Sequence, residues 1–280
     1  MRRRSLIAGA AVLAACSEAK ALLSPRKILF TGSRLWTPLN DPNLVAWWDA
    51  SYLPGLTFNT TNVAAWADRK GGLVASQGSG VAQPAWSATG LLGLPALTFS
   101  GSQSLSFNPA TLPVGNAAST IYVGARGVGA TANSTMICWG PASTIINQDR
   151  ILGYANSGTL IWYSFNTAPQ INAAPSWQNA NLFVEGIYDP AAGISLYADG
   201  TLIGGPTGAA ATNTGSVRGI MGGLTTAGGL TGIIQQIVVT GAVPSTAIRQ
   251  KYEGWESWYD GKAGSNLPNG HPYKSIPPRT

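Results

Sequence analysis

Eleven carboxylates and a single histidine are the groups of this chain that ordinarily titrate below neutral pH. Glycoside hydrolysis needs two carboxyl groups held about 5–9.5 Å apart across the scissile bond. Two pairs are close enough in sequence to be considered. Glu185 and Asp189 are four apart around a strand end, and Glu253 and Glu256 are three apart on a helix. The helical pair is expected to share a solvent-facing side opposite Trp255, and neither pair is expected to catalyse. His271 sits between prolines in the tail and is expected to be structural. A catalytic triad would have to use it, and no G-x-S-x-G elbow supplies a nucleophile. With no second histidine and no cysteine cluster, a transition-metal site is not expected. Calcium takes about six to eight oxygens. Asp149, Asp189 and Asp199 could contribute with backbone carbonyls, but no loop carries an acidic cluster. No cofactor is therefore expected, with calcium kept as an alternative. The glycine-rich stretch 219–232 lacks the lysine of a phosphate-binding loop.

The elements that would position these groups read as strands. The chain has 280 residues, 45% of them apolar and only 10% charged, with 35 glycines and 18 prolines. Period-2 or continuous apolar runs recur at 44–48, 96–100, 104–108, 120–125, 135–139, 159–165, 181–188, 193–198 and 233–240. Leu105 and Phe107 fall on one side of their run; Ile121 and Val123 fall opposite Tyr122. The runs 135–139, 159–165 and 181–188 are apolar on both sides, as covered strands are. Asp199-Gly200 is the strongest hairpin signal, because both residues accept positive φ. One helix is predicted at about 245–260. Ser245 is its N-cap, Ile248, Tyr252, Trp255 and Tyr259 form its apolar stripe, and Gly261 or Gly264 closes it. Residues 266–280, with four prolines, should run extended and irregular. The pattern predicts an all-β fold: an antiparallel two-sheet jelly-roll sandwich with one short C-terminal helix and an extended N-terminal arm.

Charge divides the chain at the same place. Residues 1–40 hold seven Lys/Arg against the single acid Glu18, whereas residues 41–280 hold ten of each sign. A neutral body argues against nucleic acid as a partner, since such binding relies on neutralising phosphates. The leader has two readings. Three arginines, an eleven-residue apolar run too short to span a bilayer, and the LAAC sequence at 13–16 resemble a lipoprotein signal lipidated at Cys16. Alternatively residues 1–40 are retained as a basic, apolar anchoring arm. Cys16 and Cys138 lie in unlike contexts and are not expected to pair. The organisation is thus 1–40, arm or signal plus connector, and 41–280, the sandwich with its helix and tail.

Four stretches carry a family resemblance. LVAWWDAS at 44–51 with Leu53, VAAWAD at 63–68 with Gly71, LGLPALTFSG at 92–101, and YEGW at 252–255 followed by LPNGHPYKS at 267–275 resemble blocks of concanavalin A-like (laminin-G-like) domains. Such domains occur in phage tail and other surface proteins. The resemblance spans about 41–278; residues 110–230 match only as a strand pattern. It implies a jelly roll used for binding, often of carbohydrate, on virions or cell surfaces, and it does not fix a ligand. The expectation is a non-enzymatic virion protein, such as a tail or head fibre or a capsid decoration component. It would dock on virion structural proteins through the arm and meet host-surface glycan or protein. A homo-oligomer would suit a fibre, although no heptad stretch encodes one. The alternatives are a surface lipoprotein adhesin held at the bacterial outer membrane through Cys16, and a divergent glycanase. Glucanases of this superfamily place carboxylates as E-x-D-x-x-E, and that spacing is missing here. Sugar binding in sandwiches uses aromatic faces. Trp47, Trp48, Trp66 and Trp255 fall in the matching blocks and are expected to pack. Trp86, Trp162, Tyr163, Trp177 and Asn179 lie outside them, near strand ends or loops, and are the candidate ligand residues.

Overall fold

In the computed structural model the described residues are 34–129, 134–141, 149–155, 158–164, 167–173, 177–209, 211–223 and 229–280, with 128–129, 163–164 and 167–169 described by their backbone alone. The arm expectation and Cys16 lie outside them. All the strands belong to one unit, Leu35–Thr280. They are β1 (Leu44–Asp49), β2 (Leu56–Asn59), β3 (Asn62–Ala67), β4 (Val74–Ser76), β5 (Ala85–Leu91), β6 (Leu94–Ser100), β7 (Leu105–Phe107), β8 (Ser119–Gly129), β9 (Ser134–Gly140), β10 (Arg150–Tyr154), β11 (Leu160–Ser164), β12 (Thr167–Ala173), β13 (Leu182–Asp189), β14 (Gly193–Ala198), β15 (Thr201–Gly204), β16 (Arg218–Met221) and β17 (Thr231–Thr240). A single α-helix among the described residues, α1 (Thr246–Tyr259), follows.

Every strand pairing is antiparallel, and the pairs define two curved layers. The first runs β15–β14–β13–β8–β17, with β1 and β6 end to end along the far edge of β17. The second runs β12–β11–β10–β9–β16–β7–β4–β3–β2. β5 pairs with both β6 and β3, so the layers are one sheet folded over on itself and nearly closed. This is the all-β antiparallel sandwich with one C-terminal helix that the sequence pattern predicts.

Alternation explains how the same strands serve two cores. Ile121 and Val123 on β8, Leu182 and Val184 on β13, and Ile237 and Val239 on β17 point between the layers. There they join Trp48, Trp66, Trp139 and Trp162 in the main cluster. Their neighbours Tyr122, Phe183 and Val238 point the other way and meet Trp36, Leu44, Trp47, Tyr252 and Trp255 beneath α1. Because both sides of these strands are covered, they read in sequence as continuous apolar runs. Burying each such side chain contributes about 1.5–3 kcal/mol. Gly186 on β13 is required by close approach: an added Cβ would stand 3.0 Å from the Trp162 ring.

Local signals are honoured at the ends. Ser245 caps α1, its Oγ accepting from the Ile248 amide at 3.3 Å. Gly261 takes φ +73° just after the helix. Asp199 and Gly200, at φ +45° and +76°, make the β14–β15 turn. The tail runs as turns and returns beside the start of the described chain. Leu35 bridges Arg279, and the Trp36 amide donates to the Pro278 carbonyl at 3.0 Å.

A candidate ligand cleft and a buried carboxylate layer

The acidic residues do not sit where the sequence suggested. Glu253 and Glu256 are 1% and 0% exposed, so the expected solvent face is instead an interior one. Glu256 turns onto the first layer, against Gln236 of β17 and Gly124 of β8, and the tail covers a further flank of α1 and meets Glu253 through His271. Trp258 Nε1 donates to the Tyr273 carbonyl at 2.8 Å, and a Cβ at Gly254 would lie 2.5 Å from Tyr273 Cβ. Helix α1 is therefore sandwiched between the first layer and the tail.

Beneath it lies a layer of charge. Glu185, on β13, is fully buried; no described residue donates to its carboxyl oxygens, and the Glu253 carboxyl lies near enough to share a proton with it. Burial pushes its carboxyl well above the usual range, and the nearby Glu253 carboxyl pushes it further. Glu253 accepts from Arg249 one turn earlier and meets His271 Nε2 at 2.7 Å. The Arg249 guanidinium in turn lies 4.2 Å over the Tyr197 ring. Glu256 accepts from Gln236 Nε2 through one oxygen while the other has no partner among the described residues, and burial raises its carboxyl as well. Gln236 Oε1 accepts from Trp47 Nε1 at 3.1 Å. Burial also lifts the Asp260 carboxyl to about 6. Asp49 pairs with Arg69 at 2.7 Å. Asp189, the other partner considered for Glu185, is spent on its own turn, accepting from the Ala191 amide at 2.8 Å. These carboxyl groups dock a helix; none of the three glutamates among the described residues opens onto a space that a sugar could enter.

The aromatic candidates divide. Trp162 is 1% exposed, and its indole N–H donates to the Ile187 carbonyl at 3.0 Å, so it is a core residue. The side chain of Tyr163 lies outside the described residues. Trp177 is half-buried against the same core, and Asn179 is exposed in a left-handed conformation two residues on, its amide donating to the Gly127 carbonyl at 2.6 Å. Trp86 is elsewhere, on β5. It is half-buried, with its N–H on the Ala50 carbonyl at 3.0 Å and its ring meeting Phe58, which is 40% exposed, edge-on at 5.7 Å. Among the candidates whose side chains are described, Trp162 thus belongs to the core, Trp86 lies on β5, and Trp177 and Asn179 share one turn beside β8.

What does converge is a set of small polar residues on the outer side of the second layer. An open cleft of about 540 Å³ is lined by Val74 and Ser76 of β4, Ser106 and Phe107 of β7, and Asn108, Ser216 and Val217. β4 and β7 meet at Ser76 and Ser106, and β7 runs beside β16. No lining residue is charged. The serine hydroxyls are exposed, and Asn108 Oδ1 accepts from the Ala110 amide at 3.1 Å, which leaves its NH₂ group to donate outward. Val74 and Val217, 54% and 67% exposed, supply apolar walls. Sequence reasoning saw Ser106 and Asn108 only as the polar side of one strand. The partners come from segments far along the chain, so nothing local marks them as a cleft. The two sides of the sandwich thus differ: the first layer is covered by α1 and the tail, and the second carries the opening.

No protein-family model matches the chain, and no curated protein sequence matches it significantly. Solved structures share its fold. Domain 4 of AbnA, a GH43 extracellular arabinanase from Geobacillus stearothermophilus determined with arabinotriose, superposes with a TM-score of 0.51 at 13% identity, over 73% of this chain and 95% of that domain. Trypanosoma rangeli sialidase in complex with sialic acid superposes with a TM-score of 0.52 at 15% identity, over 85% of this chain. This chain spans 37% of that sialidase's length. At such identities the likeness is one of fold: an all-β jelly-roll sandwich.

Proposed function

We propose that this chain is a non-catalytic recognition module that takes a neutral glycan in the cleft over β4, β7 and β16. The observation that carries the reading is the cleft's chemistry: hydroxyl and amide groups with apolar walls and no charge, on the one layer that helix and tail leave uncovered. Neutral sugars are recognised by such groups, each hydroxyl acting as donor and acceptor at once. One protein of the same fold was determined with a neutral oligosaccharide, arabinotriose, which supports the ligand class. The glutamates packed under α1 support a binding role over hydrolysis. The test is a screen of the folded protein against immobilised neutral oligosaccharides, with hits measured by calorimetry. Asn108→Ala and Ser106→Val should weaken binding about tenfold each, by the loss of one hydrogen bond of ~1–1.5 kcal/mol. Binding that survives both, or release of reducing sugar that Glu185→Gln abolishes, overturns the reading.

The setting we favour is a virion: a tail or head fibre or a capsid decoration component, docked through residues 1–40. The block resemblance and the confinement of surplus charge to residues 1–40 support it. The LAAC sequence at 13–16 favours a second reading, a surface lipoprotein adhesin. Intact mass of the protein from its native source separates them. An uncut chain near 28.9 kDa fits the arm, and loss of residues 1–15 with added acyl chains fits the lipoprotein.

A further inference from the structure

The layer beneath α1 is costly in a way that the fold alone does not require. A buried carboxylate without hydrogen-bond donors is expelled or neutralised, because the charged form loses its hydration without replacement. Glu185 has no donor on either oxygen among the described residues, and Glu256 has one free oxygen. Gly124 leaves the space into which that free oxygen projects, and Gln235 Oε1, an acceptor, lines the same space. Both glutamates therefore face protein that stabilises a neutral carboxyl and not an anion.

We propose that α1 and the tail form a proton-held latch: the clasp stays shut on the first layer while Glu185 and Glu256 are neutral, and it opens when they ionise. The groups that face them come from every packed element. Glu185 meets Glu253 and Arg249 of α1, Asp199 of the β14–β15 turn and Tyr122 of β8. Glu256 meets Asp260 and Lys262 after the helix, Asp199, and Asp49 at the end of β1, with Gln236 of β17 as its one donor. His271 of the tail reaches this layer through Glu253. Acids outnumber bases here, so each added negative charge meets more repulsion than attraction.

The sign follows from linkage. Both carboxyls are raised in the closed state by burial first and by neighbouring acids second. The closed state therefore holds protons that the open state releases, and closure weakens as pH rises from the carboxyl's ordinary value of 4.5. The slope is about tenfold in the closing equilibrium per pH unit for each group, until that group's closed-state value is passed. Opening would release more than the helix. It would expose Trp47, Tyr122 and Phe183, and it would free Trp36, which packs edge-on to Tyr252 at 4.8 Å.

The test is hydrogen exchange of the full chain between pH 5 and pH 9, corrected for intrinsic rates, comparing residues 246–280 with β17. Protection of 246–280 should fall at least tenfold over the range while β17 holds, and Glu185→Gln with Glu256→Gln should remove the fall. Protection that is flat with pH in the wild type, or that falls equally in the double variant, overturns the latch. Infrared spectra of the unmodified protein give a check that needs no variant. A protonated-carboxyl carbonyl band should persist at pH 7, and its absence also overturns the proposal.

Discussion

The His271 imidazole meets the Glu253 carboxylate at 2.7 Å, and the two side chains are 3% and 1% exposed. One residue belongs to the tail and the other to the middle of α1, so this contact pins an irregular segment to the helix. His271→Ala should destabilise the protein by about 2–3 kcal/mol, because it leaves a buried carboxylate short of a partner. His271→Gln, which keeps a donor of similar reach, should cost less. Urea unfolding of the three proteins at one pH checks both statements. Equal midpoints for wild type and His271→Ala would mean that the tail is held without this contact.

Trp162 and Trp86 were equivalent candidates in sequence, and the structure separates them by burial. Trp162→Ala should cost about 3–5 kcal/mol, the range for emptying a buried aromatic site. Trp86, half-buried at β5, should cost clearly less when truncated. Denaturant unfolding of the two variants decides, and equal costs would refute the assignment of Trp162 to the core and Trp86 to its margin.

The sandwich was legible where both sides of a strand are buried or where alternation is clean. Ile121, Tyr122 and Val123 announce two covers on one strand, and Ser104 to Asn108 announces one. β2, β3 and β5 were not read as strands. Their pairings shift register at Thr57/Phe58 and between Ser87 and Leu91, so no period-2 pattern survives long enough to see. The helix was legible from Ile248, Tyr252, Trp255 and Tyr259, but the fate of Glu253 and Glu256 was not. A helix reads as amphipathic when its packed side is apolar; here the first layer also takes Glu256 at Gln236, and the proline-rich tail that meets Glu253 leaves no periodic mark of its own. The cleft was invisible for a similar reason, since Ser76, Ser106 and Ser216 become neighbours only through strand order.

Cys138 lies on β9 and is 0% exposed. Burial pushes its thiol up to about 12, which leaves almost no thiolate at pH 8. Iodoacetamide should leave the Cys138 peptide unlabelled in the native protein and label it fully in denaturant. Mass mapping of that peptide is the measurement, and native labelling within minutes would contradict the burial.

The β14–β15 turn does two jobs, and only one was written in its sequence. Asp199-Gly200 supplies the positive φ values of a tight hairpin. The Asp199 carboxylate also accepts from the Phe183 amide at 3.1 Å and from Asn266 Nδ2 at 2.8 Å, joining the first layer to the tail. Gly200 faces the same contact, and a Cβ there would lie 3.2 Å from Pro268 Cδ and 3.3 Å from Glu253 Cδ. Gly200→Ala therefore meets two penalties, a left-handed backbone and a crowded seat for the tail. Backbone strain of this kind is worth about 1–2 kcal/mol. Asp199→Gly keeps a residue that accepts the left-handed turn but removes both hydrogen bonds, at about 1 kcal/mol each. If the turn serves the hairpin alone, Gly200→Ala will loosen the sandwich and the tail together. If it also seats the tail, Asp199→Gly will raise hydrogen exchange across residues 266–280 while β14 stays protected, and that second pattern is the one the contacts require.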